Sequence, residues 1–398
     1  MSEQNAGVGG VRMPRVLYVA HEWDYGAGGH GFEHFNFFDT LQRMGLPLIY
    51  FDIGMGSKIG KAAMNRRLRE IVDTEKPDAL FCVLFKDELD QATMRAITEE
   101  TGCVTFNWFC DDHWRFDNFT RHWAPCFRFV STTAHSALAK YEDLGHDGLI
   151  QTQWAANPFC YRPDSGEGCE HEATFVGRLY GTRGAVIEHL IADGLDVAAW
   201  GPGWDNGKLD QDQMIRVFSR SRVNINLTDA AVPQTQVSAR IKQKIGRNLR
   251  RLGLFEAVQK LRGGPGGPKG MDDERFERAP QIKGRNFEVP ACGGFLLTGT
   301  AERLGEYYEI GEEIVTFEHP SQIPEIAKTY LEDEPRRAAI ARAGYDRTMR
   351  EHTYVHRFCE IFERIGTPIG PPDSFLTEAR LSGAEPAGEL LRVEPAPA

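Results

Sequence analysis

The chain runs twice through one short programme: an apolar strand, a glycine-rich loop, then a helix with one apolar face. Arg15 to Ala20 (RVLYVA) leads at once into GAGGHG, Gly26 to Gly31. Ala173 to Gly177 leads in the same way into RLYGTRG, Arg178 to Gly184. This recurrence constrains the fold more than any other feature. A strand followed by a helix buries its apolar surface by joining others like it in a parallel sheet wrapped by helices.

The alternation continues after each opening. In the first half it predicts strands at 47–51, 79–84, 103–109 and 129–132, with helices at 32–44 and 62–74. In the second it predicts strands at 197–200, 223–227, 295–297 and 313–317, and helices at 185–193, 211–219, 323–332 and 336–350. The composition turns to proline, asparagine and aromatics at WAANPFCYRP, Trp154 to Pro163, which reads as a hinge. The expected fold is α/β, with two facing Rossmann-like domains at 14–160 and 161–345. A last helix within 346–366 places Val355, Phe358, Phe362 and Ile365 at helical spacing. The ends, 1–13 and the Pro-, Gly-, Ala- and Glu-rich 367–398, read as disordered.

A net charge of −11 argues against general nucleic-acid binding, which draws its affinity from neutralising phosphates. No segment has the apolar core of a signal peptide or reaches membrane-spanning length, so a cytoplasmic protein is expected. The eight cysteines contain no C-x-x-C pair, which suits free thiols in a reducing compartment.

One segment departs from the plan. Residues 237–270 form an insert whose Arg240, Lys242, Lys244, Arg247, Arg250, Arg251, Lys260 and Arg262 face a single acid, Glu256. Ile241, Ile245, Leu249, Leu252 and Phe255 recur at helical spacing. A basic helix of this kind suits solvent, an anionic acceptor, a peripheral membrane contact or a protein partner.

Chemistry concentrates in four other places. KGRNFEVPACGGFLLT, Lys283 to Thr298, reads as two cations, a short helix, a glycine turn and a buried strand. Lys283 and Arg285 suit phosphate, and Glu288 suits a sugar hydroxyl or merely the helix dipole. Gly293 and Gly294 end the helix through positive φ. In the loop after Gly177, Arg178 and Arg183 are candidates for a diphosphate. WGPGW, Trp200 to Trp204, offers Trp200 and Gly201 at another strand end, as a nucleobase contact or a simple turn. In NWFCDDHWRFDNF, Asp111, Asp112 and His113 provide a base and an orienting partner within one turn. His30, in the first glycine loop, is the remaining base candidate. The Asp pair alone supplies too few ligands for a metal.

Together these residues resemble the GT-B glycosyltransferases, and more narrowly the bacterial group named after the spore maturation protein CgeB. The strings that carry the likeness are VGRLYGTR, RVFSRSRVNINL, KGRNFEVPACGGFLLT, ARAGYDRTMREHTYVHRF, NWFCDDHW and QWAANPFCYRP, so it spans roughly residues 15–365. The resemblance implies a nucleotide-sugar donor on the second domain, an acceptor on the first, no cofactor, no metal requirement and a final helix crossing back to the first domain. It puts Glu288 at the donor ribose and Arg178, Arg183, Lys283 and Arg285 near the donor phosphates. Many relatives carry a second glutamate eight positions before Glu288, where this chain has Pro280, so sugar recognition does not carry over. The expected function is transfer of a sugar from a nucleotide-diphosphate donor to an unidentified acceptor. The alternative is a non-catalytic protein of the same fold that recruits a partner through its basic insert.

Overall fold

The computed structural model describes residues 12–23, 29–166, 168–228, 280–384 and 387–394. The basic insert lies outside these residues. The first sheet contains β1 (Val16–Ala20), β2 (Leu48–Asp52), β3 (Ala79–Cys82), β4 (Val104–Phe109), β5 (Phe129–Thr132) and β6 (Leu149–Gln151), and is completed by β12 (Leu390–Arg392). Its order is β12-β2-β1-β3-β4-β5-β6, and every pairing is parallel. The second sheet is formed by β7 (His171–Val176), β8 (Val197–Trp200), β9 (Ser221–Asn226), β10 (Leu296–Gly299) and β11 (Val315–Phe317), ordered β11-β10-β9-β7-β8 and likewise parallel. In both, the opening strand sits between the second and the third. That is a topological switch point, where loops diverge and leave a crevice at the carboxyl ends of the strands. The two glycine loops leave from these points.

Burial follows the strand period. In β1, Val16, Tyr18 and Ala20 pack with Phe37, Phe38 and Leu41 on one face of the sheet. Leu17 and Val19 pack with Leu68, Ile71 and Val72 on the other. All five residues of β1 are buried, as expected for a parallel sheet covered on both sides.

The helix α1 (Tyr354–Arg364) closes the first face, with Val355, Phe358, Phe362 and Ile365 all inside the first domain's core. The chain therefore crosses between domains twice, near 156 and near 353, and the two crossings are joined. Ala156 donates to the His352 carbonyl at 3.1 Å and Tyr354 donates to the Ala156 carbonyl at 2.9 Å. Arg357 reinforces the joint by donating from Nε to the Gln153 carbonyl at 3.1 Å.

Residues 1–11, 385–386 and 395–398 lie outside the described residues; where the two ends are described, the expectation of disorder needs correction. Met13 is buried in the first core, and Arg12 pairs with Asp78 at 3.1 Å. Within the tail, Phe375 is fully buried and β12 adds to β2 with Leu390 opposite Leu48. The averaged composition of 367–398 hid this. The backbone of Leu390–Arg392 pairs with the otherwise unpaired edge of β2, and Val393 is buried in the core beyond it. The helix before the crossing also ends later than expected, at Glu351, so the crossing helix is separate and begins at Tyr354. All eight cysteines are free. Among the described residues, no helix is long and apolar enough to span a membrane.

Candidate active site

The wall contributed by the second domain begins where β7 and β8 end. Gly201 has φ 127°, and a Cβ there would lie 2.3 Å from the Gly177 carbonyl oxygen. Only glycine lets the two loops approach this closely. The indole of Trp204 fixes the contact by donating to the same carbonyl at 2.8 Å. Arg178 is thereby held at the mouth of the cleft with its side chain exposed.

Arg183 behaves differently from what the sequence suggests. It is 9% exposed and donates to the carbonyls of Arg178, at 3.1 Å, and Leu227, at 3.2 Å. Its guanidinium also lies 4.1 Å from the Tyr180 ring centroid. It braces the loop from behind and does not line the cleft. Trp200 is also turned away, with its ring edge-on to His171 at 5.0 Å. The WGPGW cluster acts through Gly201 and Trp204.

The segment 283–298 folds as expected, into a helix at Arg285–Ala291 followed by β10. It is seated by buried amides. Asn226 donates to Asn286 Oδ1 at 3.1 Å and to Thr298 Oγ1 at 3.0 Å, while the Lys283 backbone N–H reaches Asn286 Oδ1 at 2.9 Å. These asparagines were absent from the sequence-derived candidates. A signal existed: asparagine is depleted in strands, yet VNINL places Asn224 and Asn226 inside one. Gly293 has positive φ, at 69°, but Gly294 does not. Gly294 is needed for space, since a Cβ would lie 2.5 Å from the Phe218 carbonyl oxygen.

Arg285 lines the cleft, donating from Nε to the Val176 carbonyl at 3.3 Å and pairing with Glu288. Glu288 is fully buried behind it, and its Oε1 has no hydrogen-bond partner. A carboxylate oxygen in that state is a vacant acceptor for a hydroxyl donor. Lys283 faces elsewhere. Its charge acts on Asp111 and His113 across the interdomain gap, opposing the rise that burial gives Asp111 and adding to the fall that burial gives His113. The expected four cations therefore do not converge. Arg178 and Arg285 line the cleft together with Lys208, which sequence reasoning missed.

The first domain supplies the opposite wall, from the turn after β1: His30, Phe32, Phe35 and Asn36. His30 is stacked between Trp23, at 4.3 Å, and His34, at 3.8 Å between ring centroids. The cavity between the walls measures about 440 Å³.

The Asp111–His113 turn does not act as one unit. Asp112 is 2% exposed, and its two oxygens accept from Thr120 Oγ1 at 2.6 Å and Tyr141 Oη at 2.8 Å. It ties its turn to the core and is not available to a substrate, which removes it as a base. Asp111 is half-buried, and burial raises its pKa against the opposing effects of Lys283 and Arg115. His113 is lowered to about 4 by burial and then by Lys283, and its Nδ1 lacks a partner. It faces a second, very small interdomain cavity shared with Thr133, Gln153 and Tyr307.

Comparison with known proteins identifies the fold. A protein-family model described as glycosyl transferase-like matches residues 275–363. HepE of Anabaena, solved in complex with UDP-glucose, superposes with a TM-score of 0.54 at 10% identity, covering 89% of this chain and 100% of HepE. Sucrose-phosphate synthase of Thermosynechococcus elongatus gives 0.57 at 8% identity, covering 89% and 97%. A glycosyltransferase of Rickettsia africae gives 0.55 at 9%, covering 89% and 98%. The fold is GT-B. No curated protein matches the sequence. The GT-B chain has two parallel-sheet domains, as expected from its sequence, and its glycosyl transferase-like segment includes Lys283, Arg285 and Glu288.

Proposed function

We propose that the protein is a glycosyltransferase that takes a sugar from a nucleoside-diphosphate donor held by its second domain. The observation that carries this reading is the 440 Å³ cleft at both switch points, with Arg178, Arg285 and Lys208 on one side. The diphosphate would lie against these cations and the backbone of Gly177 and Gly201, without a metal bridging it. Glu288 Oε1, buried and unpartnered, suits a ribose hydroxyl once Arg285 turns toward phosphate. The UDP-glucose bound by HepE supports the donor class. The CgeB-like strings support a place in that bacterial group.

In the reaction, the bond from the anomeric carbon to the diphosphate oxygen breaks and a bond to an acceptor oxygen forms. Arg178 and Arg285 stabilise the charge gathering on the leaving diphosphate. The acceptor proton passes to His30, Asp111 or His113 if configuration inverts, or to the departing phosphate if it is retained. The non-catalytic alternative rested on the basic insert, and no described residue adds to it.

Two arginines give the test. Arg178→Ala should weaken UDP binding in calorimetry, with EDTA present, by about 1.5–3 kcal/mol, the worth of a hydrogen bond to a charged group, and leave the melting temperature unchanged. Arg183→Ala should do the reverse and lower the melting temperature first. UDP affinity unchanged in Arg178→Ala would remove the diphosphate from this cleft. Release of sugar from UDP-sugars by the wild type then separates an enzyme from a binding protein.

A further inference from the structure

Glu22, His30 and His34 form a group that donor chemistry does not use. One ligand atom from each, a carboxylate oxygen and two imidazole nitrogens, lie within 4.8 Å of one another. His30 lies just before the helix that follows the first glycine loop, His34 lies four residues on within it, and Glu22 stands two residues after β1. Their rings stack face to face, parallel within 9° at 3.8 Å, so one imidazole must rotate about its side-chain bonds for both in-plane lone pairs to meet a single ion. His34 Nδ1 is buried and has no hydrogen-bond partner, an arrangement that costs stability unless something occupies that nitrogen. His30 also forms part of the cleft wall.

We propose that Glu22, His30 and His34 bind a divalent transition-metal ion, with zinc as the best match, at the edge of the cleft. Two imidazoles and one carboxylate are the ligands such ions prefer, whereas magnesium and calcium favour all-oxygen sites. Three protein ligands leave at least one coordination position for water or for a substrate oxygen. The site belongs to the first domain, so it does not replace Arg178 and Arg285 at the diphosphate. Its natural role is to orient or acidify a group on the acceptor side, and with His30 bound to the ion the acceptor proton passes to Asp111 or His113 instead.

The structure also supplies a competitor. Arg392, in the tail strand β12, forms an ion pair with Glu22 at 2.5 Å. A metal at Glu22 must displace this guanidinium or share the carboxylate with it. The tail therefore tunes affinity, and Arg392→Gln should tighten metal binding by about 2- to 5-fold, the equivalent of a partly exposed ion pair.

The experiment titrates metal-free full-length protein with Zn²⁺, Co²⁺ and Mg²⁺ by calorimetry, and with Co²⁺ by visible absorption. One Zn²⁺ or Co²⁺ should bind per chain, with no thiolate-to-cobalt charge-transfer band and no matching uptake of Mg²⁺. His30→Ala, His34→Ala and Glu22→Gln should each weaken binding at least about tenfold, the usual effect of disturbing a metal's supporting residues. Circular dichroism and melting of each metal-free variant check that it folds, and His34→Gln serves if His34→Ala does not. UDP binding with EDTA should persist in Glu22→Gln and in the His34 variants, which do not line the cleft, and this keeps the proposal separable from the donor reading. Absence of Zn²⁺ binding, binding unchanged in the histidine variants, or a thiolate band that places the ion on cysteine would each overturn the site.

Discussion

The two walls of the cleft are built on different principles. On the second domain, the binding surface is backbone and cation, fixed from behind by residues that never reach the cleft. Arg183, Trp204, Asn226 and Asn286 all hold loops by bonding to carbonyls or to one another. On the first domain, the surface is a stack of aromatic and imidazole rings, with titratable groups that lack partners or lie half-buried. A diphosphate has the same shape in every donor, so a rigid cradle suits it. The facing wall, which the proposed function gives to the acceptor, relies on groups whose charge depends on their surroundings.

The sharpest way to break this contrast is at Gly201. Valine there would need both a positive φ and space that the Gly177 carbonyl occupies at 2.3 Å. We expect a loss of about 3 kcal/mol in urea unfolding, the upper range for backbone strain and overpacking, together with loss of nucleotide binding. A variant of normal stability that still binds UDP would show the cradle to be pliable.

Next in size is the pair Asp112 and Asp111. Asp112→Ala leaves Thr120 and Tyr141 without an acceptor and should cost about 2–3 kcal/mol, the penalty for breaking hydrogen bonds to a buried charged group. Asp111→Asn should barely change unfolding and should act on turnover. The opposite pattern, with Asp112→Asn stable but inactive, would return Asp112 to the chemistry and erase the distinction between framework and wall.

The smallest effect concerns protons. His113 is held at about 4 against an ordinary 6.5, so between these values the unfolded chain binds more protons than the folded one. Stability then rises with pH: the contribution is complete above about pH 6.5 and is lost as pH falls toward 4. His113→Gln should flatten the melting-temperature profile in that window relative to wild type, and leave it unchanged above. Asp111 and Asp112, raised by burial, act with the opposite sign, so the difference between wild type and variant is the quantity to read. An identical slope in the variant would mean that His113 titrates normally.

Much of this architecture is visible in the residues alone. Repeated apolar runs and glycine loops lead to two parallel sheets, because a strand covered on both faces has few ways to be apolar throughout. The crossing helix follows from Val355, Phe358, Phe362 and Ile365, whose spacing allows one buried stripe. Gly177, Gly201 and Arg285 could be selected because strand ends at a switch point are where ligands meet backbone. What the sequence could not decide is which way each polar side chain turns. Arg178 and Arg183 stand five residues apart on one loop and helix start. One is exposed at the cleft, and the other is fixed by the carbonyls of Arg178 and Leu227, the second of them 44 positions away. Asp111 and Asp112 are adjacent, yet only Asp112 meets Tyr141, a partner 29 residues distant. Those partners are brought together by the sheet, and a buried polar group goes where its hydrogen bonds can be completed. Local pattern therefore determined the scaffold, while long-range hydrogen bonding decided which polar residues remained free to act.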